Sequence, residues 1–186
     1  MPKQLRYFDP GTFLQLPRLL GANGLAWLLG EINSAIVPWA GQWTHVHKPA
    51  PDGRTFRLGA DHLAALSRLG AVNRVALQMA PPADAGEWEQ TCANIDGHVQ
   101  RAMAEHGLTQ QADLVAFATH ALEHHPSFDS HPRLGALFQE LRAATPEDEI
   151  DYRELTSRFT PEDWQQICME QQRQGLKSHI KEGIRS

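Results

Sequence analysis

Among the residues able to do chemistry in this chain, His120, Glu123 and His124 have the most suggestive spacing, in the run His120-Ala121-Leu122-Glu123-His124. In an H-x-x-E-H pattern two histidines one helical turn apart can bind zinc, while the intervening Glu polarises a water. A catalytic zinc also needs a third protein ligand and an open coordination position. The carboxylates downstream of His124 read as helix caps and solvated surface, and a chain with ten histidines produces one i, i+4 pair readily by chance. The preferred reading makes this run the polar end of a helix, with a zinc-dependent hydrolase as the alternative. His45 and His47 flank Val46 and share one face of a strand, so they are further candidate ligands.

Other reactive groups are sparse. Cys92 falls on an apolar helical face with Trp88 and Ile95, which suits a buried structural thiol better than a nucleophile, and Cys168 resembles it. The two thiols stand far apart with no second cysteine near either, so neither a metal knuckle nor a disulfide framework is indicated. The sequence contains no G-x-S-x-G elbow, no phosphate-cradling G-x-x-x-x-G-K and no dinucleotide fingerprint. Trp27 and Trp88 are expected in the core. Trp39, Trp43 and Trp164 sit near chain breaks, where an aromatic can anchor a partner.

The elements that would position these groups are mostly helical. Thr12 to Leu20 reads as a short helix limited by Pro17, and Asn23 is placed to cap a second one carrying Leu25, Leu28, Leu29, Ile32 and Ile36 until Pro38. The period then changes. Thr44-His45-Val46-His47 and Arg54-Thr55-Phe56-Arg57 partly alternate about Pro-Ala-Pro-Asp-Gly, which predicts a small hairpin. Further helices are expected from Asp61 to about Leu77, from Asp84 to Gly107, from Thr109 to before Pro126, and from His131-Pro132 through Leu141. Thr145-Pro146-Glu147 and Thr160-Pro161-Glu162-Asp163 are two more helix starts. The expected fold is mainly α, an irregular bundle of seven or eight helices with one small hairpin near the N-terminal third.

Composition narrows the class. With 186 residues, 41% hydrophobic and 21% charged, the chain can bury one respectable core or a core plus a satellite. A net charge of −5 argues against a general nucleic-acid binder, because affinity for phosphate backbones comes from concentrated Lys and Arg. No apolar run reaches the length of a membrane span, and the N-terminus lacks a basic region followed by an apolar one. Protein partners and a cytoplasmic location are expected.

The start of the chain carries a resemblance. Leu5-Arg6-Tyr7-Phe8-Asp9-Pro10 reads as a strand-like aromatic pair ahead of an Asp-Pro stop, and a strand needs neighbours to satisfy its edges. Together with the Phe13 to Leu20 helix, Leu29-Gly30 and the Trp39/Trp43 region, it resembles the closing part of the domain found in type VI secretion effector adaptors, also called effector chaperones. The run from Leu108 to Pro132 and Thr160-Pro161-Glu162-Asp163-Trp164 resemble the helical extension that follows that domain. The likeness covers roughly half to two thirds of the chain. In the family an α/β lobe precedes the Arg6-Tyr7-Phe8-Asp9-Pro10 stretch, and its absence here marks a departure. The resemblance thus implies the helical, effector-facing part of such a protein: residues 1–58 would close the adaptor domain and 59–186 would form the effector-binding lobe, or the two would run on as one continuous domain. It implies a cognate effector and the VgrG spike as partners, and neither a catalytic residue nor a cofactor. On this reading Trp39, Trp43, Phe128 and Trp164 are the expected partner anchors, and His120, Glu123 and His124 are structural. An immunity-type protein that binds a toxin to silence it would use the same surface chemistry.

Overall fold

The computed structural model of the chain describes residues 9–144 and 150–183, with side chains through Arg173. Among the described residues there are eight α-helices, one short 3-10 turn and one antiparallel hairpin, in the order α1 (Pro10–Phe13), α2 (Leu16–Leu29), β1 (Ser34–Trp39), β2 (Gln42–His47), α3 (Ala60–Ala76), α4 (Ala85–His106), α5 (Gln111–Glu123), the 3-10 turn (Phe128–Ser130), α6 (Pro132–Ala143), α7 (Tyr152–Thr156) and α8 (Pro161–Gly183). The mainly helical architecture with one hairpin near the N-terminal third is as expected. The strand read into Leu5–Phe8 and the helix start at Thr145-Pro146 lie outside the described residues. The chain divides into two compact units, Met1–Gly97 and His98–Ser186, so the division falls within α4 and not at the residue 58 boundary of the sequence reading.

In the first unit, Asp9 caps α1 by accepting from the Thr12 N–H at 2.8 Å, and Pro10 occupies a first-turn position where no N–H is needed. Gly21 interrupts α2 with a φ of +66°, a conformation open to glycine. Asn23 does not cap the second half of α2. Its side-chain amide instead donates to Asp52 at 2.6 Å and accepts from the Asp52 N–H at 3.1 Å, tying the following loop to the helix. The next residue, Gly24, meets that loop so closely that a Cβ there would stand 2.7 Å from the Phe56 ring. Phe56 thus covers α2 from a non-strand segment, and α2 stops at Gly30, φ +55°. The helix predicted from Asn23 is present through Leu29, but its continuation to Pro38 is not formed, because Ile36 and Pro38 belong to β1.

The hairpin also uses a different partner strand from the one expected. Residues 42–47 pair with 34–39, from Ser34 opposite His47 to Trp39 opposite Gln42, and Arg54 to Arg57 are not in a strand. Ala40 and Gly41 form the two-residue connection with φ of +48° and +78°. Positive φ at both central positions is what a tight connection between right-twisted strands requires. The core of this unit gathers Phe13, Leu16, Leu20, Leu25, Val72, Val75 and the start of α4 with Trp88, Cys92 and Ile95. Trp27, expected inside, is 60% exposed and rests its ring against Phe56 at 5.5 Å between centroids.

In the second unit, α4 ends with Gly107 at φ +70°, where the Leu108 N–H reaches back to the Ala102 carbonyl at 3.1 Å. His131 caps α6 through Nδ1, and Asp151 caps α7. Thr160 and Asp163 cap α8 reciprocally, each side chain accepting from the other residue's N–H at 3.0 to 3.2 Å. The core is aromatic: Phe117, Phe128, Phe138 and Tyr152 pack with ring centroids 5.0 to 6.3 Å apart.

Candidate functional site

The hairpin separates its two tryptophans by face. Residues directly opposite in a sheet share a face, and alternate residues along a strand take opposite ones. Ala35, Val37 and Trp39 therefore lie with Gln42, Thr44 and Val46 on one face, and Ser34, Ile36 and Pro38 with Trp43, His45 and His47 on the other. The first set turns inward: Val37 is buried, and Trp39 packs at a tilt on Trp88, 4.5 Å between centroids, while its Nε1 donates to the Pro82 carbonyl at 3.0 Å. Trp88 is itself tied to α1 by a bond from its Nε1 to the Gly11 carbonyl at 3.1 Å. The second set is exposed, with Trp43 72% accessible beside Ile36 and Pro38. A large indole held outward on a rigid two-stranded element fits the chemistry of an interface anchor.

The H-x-x-E-H residues have other occupations. A neutral His120 ring accepts at Nδ1 from the Tyr152 hydroxyl at 2.9 Å, and it lies 4.6 Å from the Trp164 ring. His124 stacks flat on the same indole at 4.2 Å. Burial pushes the His120 imidazole down to about 4, with the neighbouring His124 adding to the effect, and burial likewise lowers His124. Glu123 is exposed. Two histidines one turn apart thus form two walls of an aromatic box around Trp164, with the other two supplied by Phe128 and Phe159 at 5.9 and 5.3 Å.

The expected anchors consequently split. Trp43 is displayed and Trp39 is half-buried as the fastener of the hairpin. Phe128 is fully buried in the aromatic core, so it cannot also be a surface anchor, and Trp164 is only 8% exposed inside its box. Trp164 sits near a chain break, as the sequence suggested, but it and Phe128 both fold inward against α5.

His45 and His47 do share one exposed face, with ring centroids 6.1 Å apart, as the strand spacing predicted. The one group of three potential metal ligands among the described residues is elsewhere, at Glu105, His106 and Asp129. There Asp129 already accepts from His106 Nε2 at 2.9 Å and pairs with Arg101 at 3.1 Å. Burial alone would raise the Asp129 carboxyl, but the His106 hydrogen bond and the Arg101 charge outweigh it and hold the group below its ordinary value. The arrangement is that of a buried ion pair whose cation is Arg101, with His106 stacked on Phe138 at 3.7 Å. Cys92 is wholly buried and its thiol is pushed up to about 12 by burial, in keeping with a structural role.

Two functional features escaped sequence reasoning. The tie from Tyr152 to His120 spans 32 positions, and no local pattern announces it. The edge-strand position of Pro38 was hidden because a proline after an apolar helical period reads as a helix stop. No family model, curated protein or solved structure matches the chain.

Proposed function

We propose that this chain is a non-enzymatic adaptor or chaperone module that holds a type VI secretion effector in the cytoplasm and helps load it onto the VgrG spike. Two things support the reading: the resemblance carried by Asp9-Pro10, Leu29-Gly30, the Trp39/Trp43 region and Thr160 to Trp164, and the display of Trp43. The second carries it. A solvent-facing indole with Ile36 and Pro38 beside it, on a hairpin fastened from below by Trp39, is an apolar anchor already fixed in place. Pre-ordering of that kind lowers the entropy lost when a partner pocket closes over it.

Co-expression with a type VI effector and a VgrG spike protein from the same source, followed by pull-down, tests the reading. Trp43→Ala should weaken effector capture by about thirtyfold, the effect of losing an anchor of about 2 kcal/mol. Because Trp43 is mostly exposed, the same change should move folding stability by no more than about 0.5 kcal/mol. Unchanged capture by Trp43→Ala, or no capture by the unaltered chain, would overturn the assignment.

A further inference from the structure

The hydrogen-bond phase of the hairpin decides which of its edges is open. The Lys48 N–H donates to the Asn33 carbonyl at 2.8 Å, one step beyond the Ser34–His47 pair. In an antiparallel ladder, pairs that exchange bonds alternate with pairs that do not. Ala35–Val46, Val37–Thr44 and Trp39–Gln42 are therefore the bonded pairs, which also lets the two-residue connection close on a bonded pair. Ile36–His45 and Pro38–Trp43 are unbonded, so their main-chain groups point away from the partner strand.

The consequence differs for the two strands. On β1 an outward-pointing position is Pro38, which has no N–H to offer, and proline at that place blunts an edge. On β2 the outward positions are Trp43, His45 and His47, each with an N–H and C=O that no main-chain group of the described residues takes up. Among the described residues, β2 pairs with β1 alone.

An open groove of about 480 Å³ borders this unblunted edge. Residues 44–47 line one side of it. Alternate side chains point to opposite faces, so four consecutive strand residues share one groove only by presenting their edge to it. Leu14, Pro17 and Leu25 give the facing side an apolar character, and Glu89 is the only carboxylate in the lining. We propose that the groove receives an extended peptide segment of the partner, which adds to β2 as a third strand. This rests on the binding-module reading and gives its partner a shape. Main-chain bonds to His45 and His47 would supply affinity, and alternate apolar side chains would meet the α2 side. Glu89 favours a segment carrying a Lys or Arg. The occupant is an extended segment because what the groove offers is the edge of one six-residue strand, whose outward main-chain groups pair with another extended chain.

Selection of a phage-displayed library of short peptides on the full chain provides the probe, and the enriched peptide is then synthesised for fluorescence anisotropy. Enriched sequences should alternate apolar residues and include a Lys or Arg, and Glu89→Gln should weaken binding. His45→Pro removes one outward N–H while leaving every bond to β1 in place, so circular dichroism should stay unchanged while peptide affinity falls about tenfold or more. The same loss should follow in the unaltered protein when alternate peptide residues are N-methylated in the pairing register, and not in the other register. Failure to enrich any peptide, or binding indifferent to both His45→Pro and N-methylation, would overturn the proposal. Dimerisation that His45→Pro abolishes would place a second copy on the edge and overturn it also. Peptide binding needs no effector, so a failed effector pull-down and a failed strand addition are separate results.

Discussion

Acid should loosen the second unit in a way traceable to one imidazole. His120 is ordinarily half-protonated near 6.5, whereas in the fold burial holds it near 4, with His124 contributing. The unfolded chain therefore takes up a proton that the folded chain refuses, and stability falls as pH drops through the interval between those values. Above 6.5 both states are neutral and nothing is lost. Near pH 5 the difference amounts to about 2 kcal/mol, rising to about 3 near pH 4. A protein with about 5 to 15 kcal/mol of total stability shows such a loss clearly. Urea unfolding at neutral pH and near pH 5, followed by circular dichroism, should show the midpoint drop by about 1 M for this residue's share. His120→Gln keeps an acceptor for the Tyr152 hydroxyl but cannot titrate, so its acid sensitivity should be smaller by about 2 kcal/mol. His98, lowered chiefly by burial, acts in the same direction in both proteins and cancels in the comparison, whereas His124, also lowered chiefly by burial, is coupled to His120 and belongs to the difference that is read. Asp113, raised chiefly by burial, opposes them equally in both. Asp129, Glu170 and Asp163 have lowered values, so what they contribute is lost only at more acid pH. Equal acid losses in the two proteins would refute the claim that His120 is held neutral by its box.

Two backbone positions give further tests. Gly24→Ala would put a Cβ 2.6 Å from that of Leu20 and 2.7 Å from the Phe56 ring, so either the loop lifts or α2 shifts. Urea unfolding should register about 1 to 3 kcal/mol of destabilisation despite alanine's better helix propensity, and a stabilised variant would show that Phe56 does not seat there. Ala40→Asn should stabilise the hairpin by about 0.5 to 1 kcal/mol, because Asn tolerates the +48° φ that alanine adopts at a cost. A lowered thermal midpoint would refute the assigned connection.

Most of the helices could be read from periodicity and punctuation. Asp84, Gly107, His131-Pro132 and Thr160-Pro161 mark their ends by local chemistry: first-turn carboxylates, a positive φ, a missing N–H. The hairpin was found with Thr44 to His47 correctly in one strand but with the wrong partner strand, because Ala40-Gly41 is a weak turn signal beside Pro-Ala-Pro-Asp-Gly. What could not be seen locally was burial. Trp27 stands in an apolar run and Phe128 and Trp164 in polar ones, yet the first is exposed and the other two are enclosed. The difference is made by α5, α7 and α8 meeting around His120, which depends on contacts across tens of residues. The H-x-x-E-H spacing correctly put both histidines on one helical face, and the occupant of that face is Trp164.

The hairpin is also where stability and binding pull on the same few residues. Two strands alone are marginal in water, so this pair persists because Trp39 and Val37 join the core of the first unit. That leaves the outer face and one edge uncommitted. Pro38 removes one of the three outward positions of β1, beside Ser34 and Ile36, at no cost to the ladder, since its missing N–H falls at an unbonded pair. Had β2 only needed to avoid stray pairing, a proline at His45 would have served it equally well. Instead the β2 edge keeps its donors beside a groove, and Trp43 stands on the adjoining outer face. An anchor and an open strand edge on one six-residue strand are complementary devices: the indole supplies apolar contact, and the edge imposes direction and register on whatever binds.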